Sequence, residues 1–401
     1  MSDRSEVSAP RVLFVTTEWP SSRLPTNGTF IREHAYAAAT RCPVAVVDLD
    51  RSRGRRGLVE VEALEDEAFP VWRVNYRRFP RPLSYFAFLL GAFRGYRAAR
   101  ASGHEPEVIH AHSFLSCTVA LVLGAVYRKP VAYTEHWTIF ISENPGRLSG
   151  LMALLARLAL GRADVVLPVS EDLRSALASR APSARFRVIP NAVDVSLFSP
   201  GEHRNGTPPR LLTVGLLDTP RKGLDVLLEA FARLRGVGGA PVFRADIVGD
   251  GALRPEYEAL AARLGLSDVV RFRGLLPKAE IAELMRGSDL FVLGSRYENN
   301  PCVVIEAMAT GLPVVATAVG GVPELVDSET GSLAPPLDPA ALGDRIGDAL
   351  ARIDSFDRKL IARRSRERFS RESVGAELAS TYEALVAERP PGRTRRRGRR
   401  R

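Results

Sequence analysis

Short apolar runs alternate with stretches of helical periodicity along nearly the whole chain. Arg11–Thr17 is a β-branched run, followed by a Pro/Gly/Asn loop and a helical stretch from about Phe30 to Thr40. Further strands are predicted at Pro43–Leu49, Val71–Val74, Glu107–Ala111, Pro130–Thr134 and Asp164–Val169, with Arg187–Pro190 closing the series. Between them fall helices over Ser84–Arg100, Phe114–Tyr127 and Leu148–Leu160. Another opens at Ser170, an N-cap residue followed by two acids. Strands that are apolar throughout are covered on both faces, so the pattern implies a parallel sheet with helical layers, an α/β fold.

The pattern breaks over Ser196–Arg210, SLFSPGEHRNGTPPR, which has no periodic apolar face and reads as a linker. Alternation then resumes. Strands are predicted at Leu211–Gly215, Val242–Val248, Val269–Phe272, Leu290–Leu293 and Pro313–Thr317. Helices are predicted at about Leu224–Leu234, Leu253–Leu264, Lys278–Arg286 and Val303–Thr310, and more helix runs from Pro339 to Glu388. The chain therefore reads as two Rossmann-like domains, residues 1–195 and 211–370, joined by 196–210. Such pairs bind ligands in the crevice beyond the carboxyl ends of their strands, so the loops after strands are where chemistry is expected.

Composition narrows this little: 401 residues with 45% hydrophobic and 25% charged side chains exclude a disordered, collagenous or coiled-coil chain. The net charge of +10 first suggests nucleic acid. Its location removes the suggestion. Arg389–Arg401 holds eight arginines and no acid, and the other 388 residues carry only +2. This tail is expected to be disordered. Its candidate partner is an anionic membrane surface, against the plainer expectation of a solvated appendage. Cys42, Cys117 and Cys302 form no C-x-x-C, which fits a reducing compartment and argues against zinc or disulfides. Met1–Pro10 lacks an apolar signal segment and no run approaches the ~18–20 apolar residues of a membrane span, so a cytosolic protein is expected.

Four loops carry candidate chemistry. After Leu293 comes GSRYENNPCVVIEAMATG, in which Asn300 is the expected N-cap and Pro301 the first helical residue. The free N–H groups of that helix would form an anion site. Glu298 precedes it, and Glu306 lies in its second turn. Two carboxylates beside an anion site make sense if the ligand also carries sugar hydroxyls to donate to them. After Leu211–Val214 come Arg221 and Lys222, adjacent cations before a helix start; positioned cations neutralise a departing diphosphate. Lysine is scarce, four among 56 basic residues. After Val131–Tyr133 comes TEHWT, with His136 placed for the crevice. His110 and His112 share one side of the preceding strand, and no third ligand has the spacing for a metal. The fourth loop contains Gly28, which allows close backbone approach to a ligand before a helix start. None of these is G-x-G-x-x-G followed by a ribose-binding acid, which disfavours a nicotinamide dehydrogenase.

Taken with VIPNAVD (Val188–Asp194), VG…KG (Val214–Gly223), VGDG (Val248–Gly251), VRFRG (Val270–Gly274) and GGVPEL, these loops resemble the retaining glycosyltransferases of family 4. Glu298 and Glu306 match that family's E-x7-E motif, followed by E-A-M-A-x-G, and the resemblance runs from Arg11 to about Glu388. It implies the GT-B architecture: two Rossmann-like domains facing across a crevice, with a C-terminal helix, 371–388, returning to the first domain. It also implies roles. Lys222 and Arg221 would bind the diphosphate of a nucleotide-sugar donor, and Glu306 the ribose. Glu298 and the backbone of Asn299, Asn300, Pro301, Cys302 and Val303 would hold the donor sugar. Arg273 and Gly274 would lie along the base, His136 near the reacting carbon, and Gly28 at the phosphates and acceptor. The family's Arg after VG is Leu216 here, and Arg221 is the candidate replacement.

The implied reaction is sugar transfer with retention to a glycan or lipid-linked acceptor, of the kind that builds bacterial cell-surface polysaccharide. No DxD-like site stands in the crevice loops, so no metal and no other cofactor is expected. The alternatives are a sugar-nucleotide epimerase or hydrolase on the same scaffold, and a nucleic-acid-binding protein acting through the arginine tail.

Overall fold

In chain order, β1 (Val12–Thr16) leads to α1 (Thr29–Ala39), β2 (Val44–Ser52), β3 (Val59–Leu64), β4 (Val71–Arg77), α2 (Leu83–Ala101), β5 (Val108–His112) and α3 (Phe114–Tyr127). β6 (Val131–Glu135), α4 (Gly150–Arg162), β7 (Val165–Pro168) and α5 (Glu171–Ala178) complete the first half. This computed structural model describes residues 9–388 except 22–23, 53–57, 66, 78, 81–82, 142–143, 145, 147, 203–207 and 237–242. The arginine tail and the middle of the expected linker lie outside the described residues.

The seven strands form one sheet in the order β3-β4-β2-β1-β5-β6-β7, parallel except for β3. β1 is apolar at successive positions because its two faces meet different cores. Leu13 and Val15 pack with α2 and α3, whereas Val12 and Phe14 pack with α1 and the C-terminal helix.

The second half runs β8 (Arg210–Val214), α6 (Leu224–Gly236), β9 (Arg244–Val248), α7 (Arg254–Arg263), β10 (Val270–Gly274), α8 (Lys278–Arg286), β11 (Leu290–Leu293), α9 (Cys302–Ala309), β12 (Val314–Thr317) and β13 (Gly331–Ala334). These strands form a six-stranded parallel sheet ordered β10-β9-β8-β11-β12-β13. α10 (Pro339–Ala351), α11 (Arg358–Phe369) and α12 (Arg371–Ala387) follow, each opened by a side-chain cap: Asp338, Asp357 and Ser370. α12 leaves the second domain and seals the first. Its Val374, Leu378 and Tyr382 share a core with Ile31 and Ala35 of α1, and Tyr382 Oη lies 2.8 Å from His110 Nδ1. This is the GT-B arrangement.

Four expectations change. β3 was not expected: VEVEAL is an antiparallel edge strand in which only Val59 is buried, so it has no apolar run of the kind that marks the inner strands. β13 also goes beyond the expected set. Arg187–Pro190 does run beside β7, with Arg187 N–H bonded to Val166 O at 3.0 Å and Ile189 N–H to Pro168 O at 3.0 Å. It makes only an isolated bridge, Val166↔Phe186, because Pro168 has no N–H with which to continue the ladder. Within the linker, Phe198 is fully buried with Val193 and Val195 in the second domain's core, so the start of that segment is packed.

Candidate functional site

The carboxyl ends of both sheets face one another, and the loops there converge. Pro220–Lys222 forms a short 3-10 turn after β8. Gly223 then takes φ 55, and a Cβ there would sit 1.9 Å from Gly294 O, so only glycine lets the β8 and β11 loops pack this closely. That approach delivers Lys222 Nζ to Glu298 Oε1 at 2.6 Å, while Ser295 Oγ donates to the same oxygen at 2.8 Å. Gly320, at φ 50, lies against Glu298 O from the other side. Glu298 is only 4% exposed. Burial alone would raise its pKa; the charges of Lys222 and Arg221 and the bonds from Lys222 and Ser295 reverse this and hold it below the ordinary value. The result is a buried carboxylate kept ionised at the lip of α9.

The N-cap of α9 is Pro301 and its first helical residue is Cys302, one position later than the expected Asn300 and Pro301. Asn300 is used elsewhere. Its Oδ1 accepts from Asn191 N–H at 2.9 Å and its carbonyl from Asn191 Nδ2 at 2.7 Å, which ties the second domain to the first. Asn299 Nδ2 donates to His136 O at 2.9 Å, another tie across the crevice. The thiol of Cys302 is pushed by burial to about 12, so it stays protonated. Val303 is half-buried in the first turn of α9. Glu306 is buried. Burial pushes its pKa up against the opposing charge of Lys278, whose Nζ lies 3.3 Å from Glu306 Oε1 and 3.4 Å from Glu33 Oε1 of α1. Arg371 pairs with the other oxygen of Glu33 at 2.7 Å, completing a charged chain across the domains.

On the first-domain side, His136 follows β6. Glu135 Oε1 accepts from the backbone N–H groups of His136 and Trp137, each at 2.8 Å, and Tyr133 also donates to this carboxylate. Burial raises Glu135 to about 7. Trp137 Nε1 donates to Glu18 Oε1 at 3.0 Å, so the loops after β1 and β6 share a carboxylate. Gly28 takes φ 63, and a Cβ there would lie 2.2 Å from Glu18 O, so only glycine lets the start of α1 pack this closely on the loop after β1.

The histidines separate into two kinds. His110 is a satisfied core residue between Tyr382 Oη at 2.8 Å and Thr134 Oγ1 at 2.7 Å. His112 Nδ1 lies 3.0 Å from His136 Nε2, and the stacked rings also meet His34 of α1. Candidate nitrogens of His34, His112 and His136 all lie within 4.8 Å of one another, so a third imidazole does converge where sequence spacing offered none. Burial lowers the pKa of all three, His34 to about 4, and the cluster is neutral. Two of its members bond each other and His34 Nε2 bonds Pro190 O at 3.0 Å. The arrangement sets the ring of His136.

The guanidinium of Arg273 turns away from the crevice: it pairs with Asp246 at 2.6 Å and lines a groove walled by Arg210, Arg244 and Ser288 at the amino ends of the strands, while its backbone lies beside Gly274 near the carboxyl end of β10. Gly274 does reach the crevice end, where its carbonyl accepts from Gly249 N–H at 2.8 Å. One motif proves more informative than its sequence. Glu324 of GGVPEL accepts from the backbone N–H groups of Glu171 and Asp172 at 3.0 Å each, so an acid of the second domain caps α5 of the first. Sequence reasoning missed Asn191, Lys278, Glu33 and Glu324 as partners because each acts across the crevice, and His34 because it meets His112 and His136 only when α1 packs on the sheet; scarcity of lysine was the one signal that pointed to Lys278.

Residues 28–197 match the family described as Glycosyltransferase Family 4, and residues 208–352 the one described as Glycosyl transferases group 1. The chain is 33% identical over 237 residues to the putative colanic acid biosynthesis glycosyltransferase WcaL of Escherichia coli, covering 56% of this chain and 57% of that protein. The chain thus spans little over half the length of that relative. It is 33% identical over 296 residues to the D-inositol 3-phosphate glycosyltransferase of Frankia alni, covering 65% of this chain and 70% of that one. Among solved structures it resembles sucrose-phosphate synthase from Thermosynechococcus elongatus, with TM-score 0.74, 23% identity and 94% and 99% of the two chains covered. It also resembles Anabaena HepE in complex with UDP, with TM-score 0.71, 20% identity and 93% and 100% covered.

Proposed function

Because this chain belongs to the group 1, family 4 glycosyltransferases, we propose that it transfers a sugar from a nucleotide-diphosphate donor to a glycan or lipid-linked acceptor, with retention and without a metal. The observation that carries the reading is the buried Lys222–Glu298 pair at the start of α9, directly across the crevice from His136. Glu298 presents acceptor oxygens to sugar hydroxyls, and its ionised state makes those hydrogen bonds the stronger kind. Lys222, Arg221 and the amino end of α9 supply positive charge where a diphosphate departs. Glu306 is placed one helical turn further along for the ribose. Asn299 fixes the backbone of His136, and Glu135 fixes the amides that follow β6, so the ring that faces the sugar is held from both domains.

In the proposed step the bond between the anomeric carbon and the β-phosphate oxygen breaks through an oxocarbenium-like state. The acceptor oxygen bonds to the same face of that carbon. Its proton passes to the departing phosphate oxygen, which leaves a nucleoside diphosphate and a glycoside. The colanic acid biosynthesis role in the name of WcaL favours a polysaccharide product, and the UDP and UDP-glucose held by HepE, which has the same fold, make uridine donors the first to test.

The test is a thermal-shift screen of nucleotide sugars, since a true donor stabilises the native state by mass action, followed by turnover with labelled donor. Transfer lost in Glu298→Ala with the fold retained supports the proposal. Full activity in that variant overturns it. An epimer or rapid free sugar without acceptor would place the chain among epimerases or hydrolases instead.

A further inference from the structure

α2, α3 and α4 lie side by side on one face of the first sheet, and α1 and α12 cover the other. The inner sides of the three helices are core. Their outer sides are unusual. Seven of the thirteen large hydrophobic side chains exposed among the described residues stand here: Leu83, Tyr85 and Phe86 of α2, Val126 of α3, and Leu151, Leu154 and Leu158 of α4, between 38% and 57% exposed. On α4 the spacing of Leu151, Leu154 and Leu158 is one helical stripe that faces away from the core formed by Ala156, Ala159 and Leu160. Between the helices runs an apolar groove of about 680 Å³ whose walls include Tyr85, Leu121, Val122, Val126, Leu155 and Leu158.

The charge of this face has one sign. α2, α3 and α4 contain no Asp or Glu, yet they carry Arg97, Arg100, Arg157 and Arg162, besides Arg94, whose Nη1 turns to Val59 O of β3 at 2.5 Å. Arg128 and Lys129 follow α3 at the rim of the groove. Glu105 pairs with Arg100 and Lys129 at the end of the face away from the crevice, and Asp164 is bonded to the backbone of Val131 at 2.7 Å. A chain with 46 acids that excludes them from three neighbouring helices leaves an apolar stripe bordered by cations. A stripe of that kind complements a layer with an apolar interior and an anionic surface.

We infer that the outer face of α2, α3 and α4 is a peripheral docking surface for an anionic lipid bilayer. The leucines, Tyr85 and Phe86 would enter the headgroup boundary while Arg157, Arg162 and Arg128 pair with lipid phosphates. No helix among the described residues is long and apolar enough to cross a membrane, and the inner sides of these helices are already committed to the core, so the contact lies in the interface plane. α2 and α4 both begin on the crevice side of the sheet, which puts Leu83, Phe86 and Leu151 near its mouth. Docking would therefore bring a lipid-linked acceptor to the site. That consequence rests on the proposed reaction, whereas the docking itself does not.

The experiment is vesicle flotation of the full chain with phosphatidylcholine alone and with added phosphatidylglycerol, at low and high salt. Binding is expected only to the anionic vesicles and to weaken with salt. The triple variant Phe86→Ser/Leu154→Ser/Leu158→Ser should bind at least about tenfold more weakly. Arg157→Gln/Arg162→Gln should lose about fivefold per arginine. A chain lacking residues 389–401 should still float, because the helices and not the tail make the contact. Unchanged melting temperature and donor-induced shift in each variant confirm that the fold persists. Three results would overturn the inference: wild-type flotation by the triple variant, complete loss of binding on tail deletion, or a lipid-free dimer that the triple variant converts to monomer, since a second copy would then cover the face. None of these readouts requires sugar transfer, so a failed transferase reading and a failed docking inference remain distinguishable.

Discussion

Replacing Lys222 by Met removes the cation that opposes the burial of Glu298. The pair is nearly dry, with side-chain exposures of 15% and 5%, so the carboxylate cannot turn to water for compensation. Breaking one side of a buried pair costs about 3–5 kcal/mol. Ser295 and the charge of Arg221 remain and reduce the loss to about 2–3 kcal/mol, which for a domain of this size is about 4–12 °C in Tm.

The pH dependence should change sign as well. In the native chain Glu298 titrates below its ordinary 4.5. Its contribution to stability is therefore complete above that value and fades as pH falls through the folded pKa. In Lys222→Met, burial, the largest influence on Glu298, is left dominant and lifts the folded pKa above 4.5. The destabilisation is then full at high pH and relieved as pH falls through the raised value. The assay is calorimetric or fluorescence melting from acid to neutral pH for the native chain, Lys222→Met, Glu298→Gln and the double variant. The expected coupling between the two sites is about 2 kcal/mol, with the double variant more stable than Lys222→Met alone. A coupling within about 0.5 kcal/mol of zero, with parallel pH slopes in all four proteins, would refute the account of Glu298 as an ion held by its partner.

Glu324→Ala should uncap α5 across the domain boundary and lower stability by about 1 kcal/mol, with a larger loss in activity as the domains cease to meet in register; equal melting curves would refute it. Arg273→Ala should leave donor affinity within about twofold, because that guanidinium is spent on Asp246, and a large rise in donor Kd measured by calorimetry would return it to the site. His136→Ala should lower kcat at least about a hundredfold with little change in donor Kd, which single-turnover kinetics would check. Exhaustive chelation should leave transfer unchanged, whereas restoration by an added divalent ion would overturn the metal-free mechanism.

The alternation of apolar runs and helical periods carried the two α/β domains, because strands buried on both faces are apolar at most successive positions, as Val12–Val15 of β1 and Leu290–Leu293 of β11 are. Edge strands obey a different rule, so VEVEAL escaped notice. Ladder continuity also depends on a partner's amide: Pro168 prevents Arg187–Pro190 from becoming a strand, and neither segment alone reveals it. In the candidate site, Glu298, Glu306, Lys222 and His136 could be singled out because each stands in or just beyond a loop that follows a strand.

What the tertiary structure decided was pairing. Whether Lys222 reaches Glu298 depends on Gly223 meeting Gly294 across two loops. His34 joins His112 and His136 only once α1 folds over the sheet, and Lys278 bridges Glu306 and Glu33 only when the domains close. The guanidinium of Arg273 in VRFRG is taken by Asp246 on the neighbouring strand, a pairing that no spacing along the chain shows. The sequence by itself determined the fold class and the residue types at the crevice, since burial and backbone geometry impose those locally. Only the three-dimensional arrangement determined which charge compensates which, because Coulomb energy and desolvation depend on distance and burial that no spacing along the chain encodes.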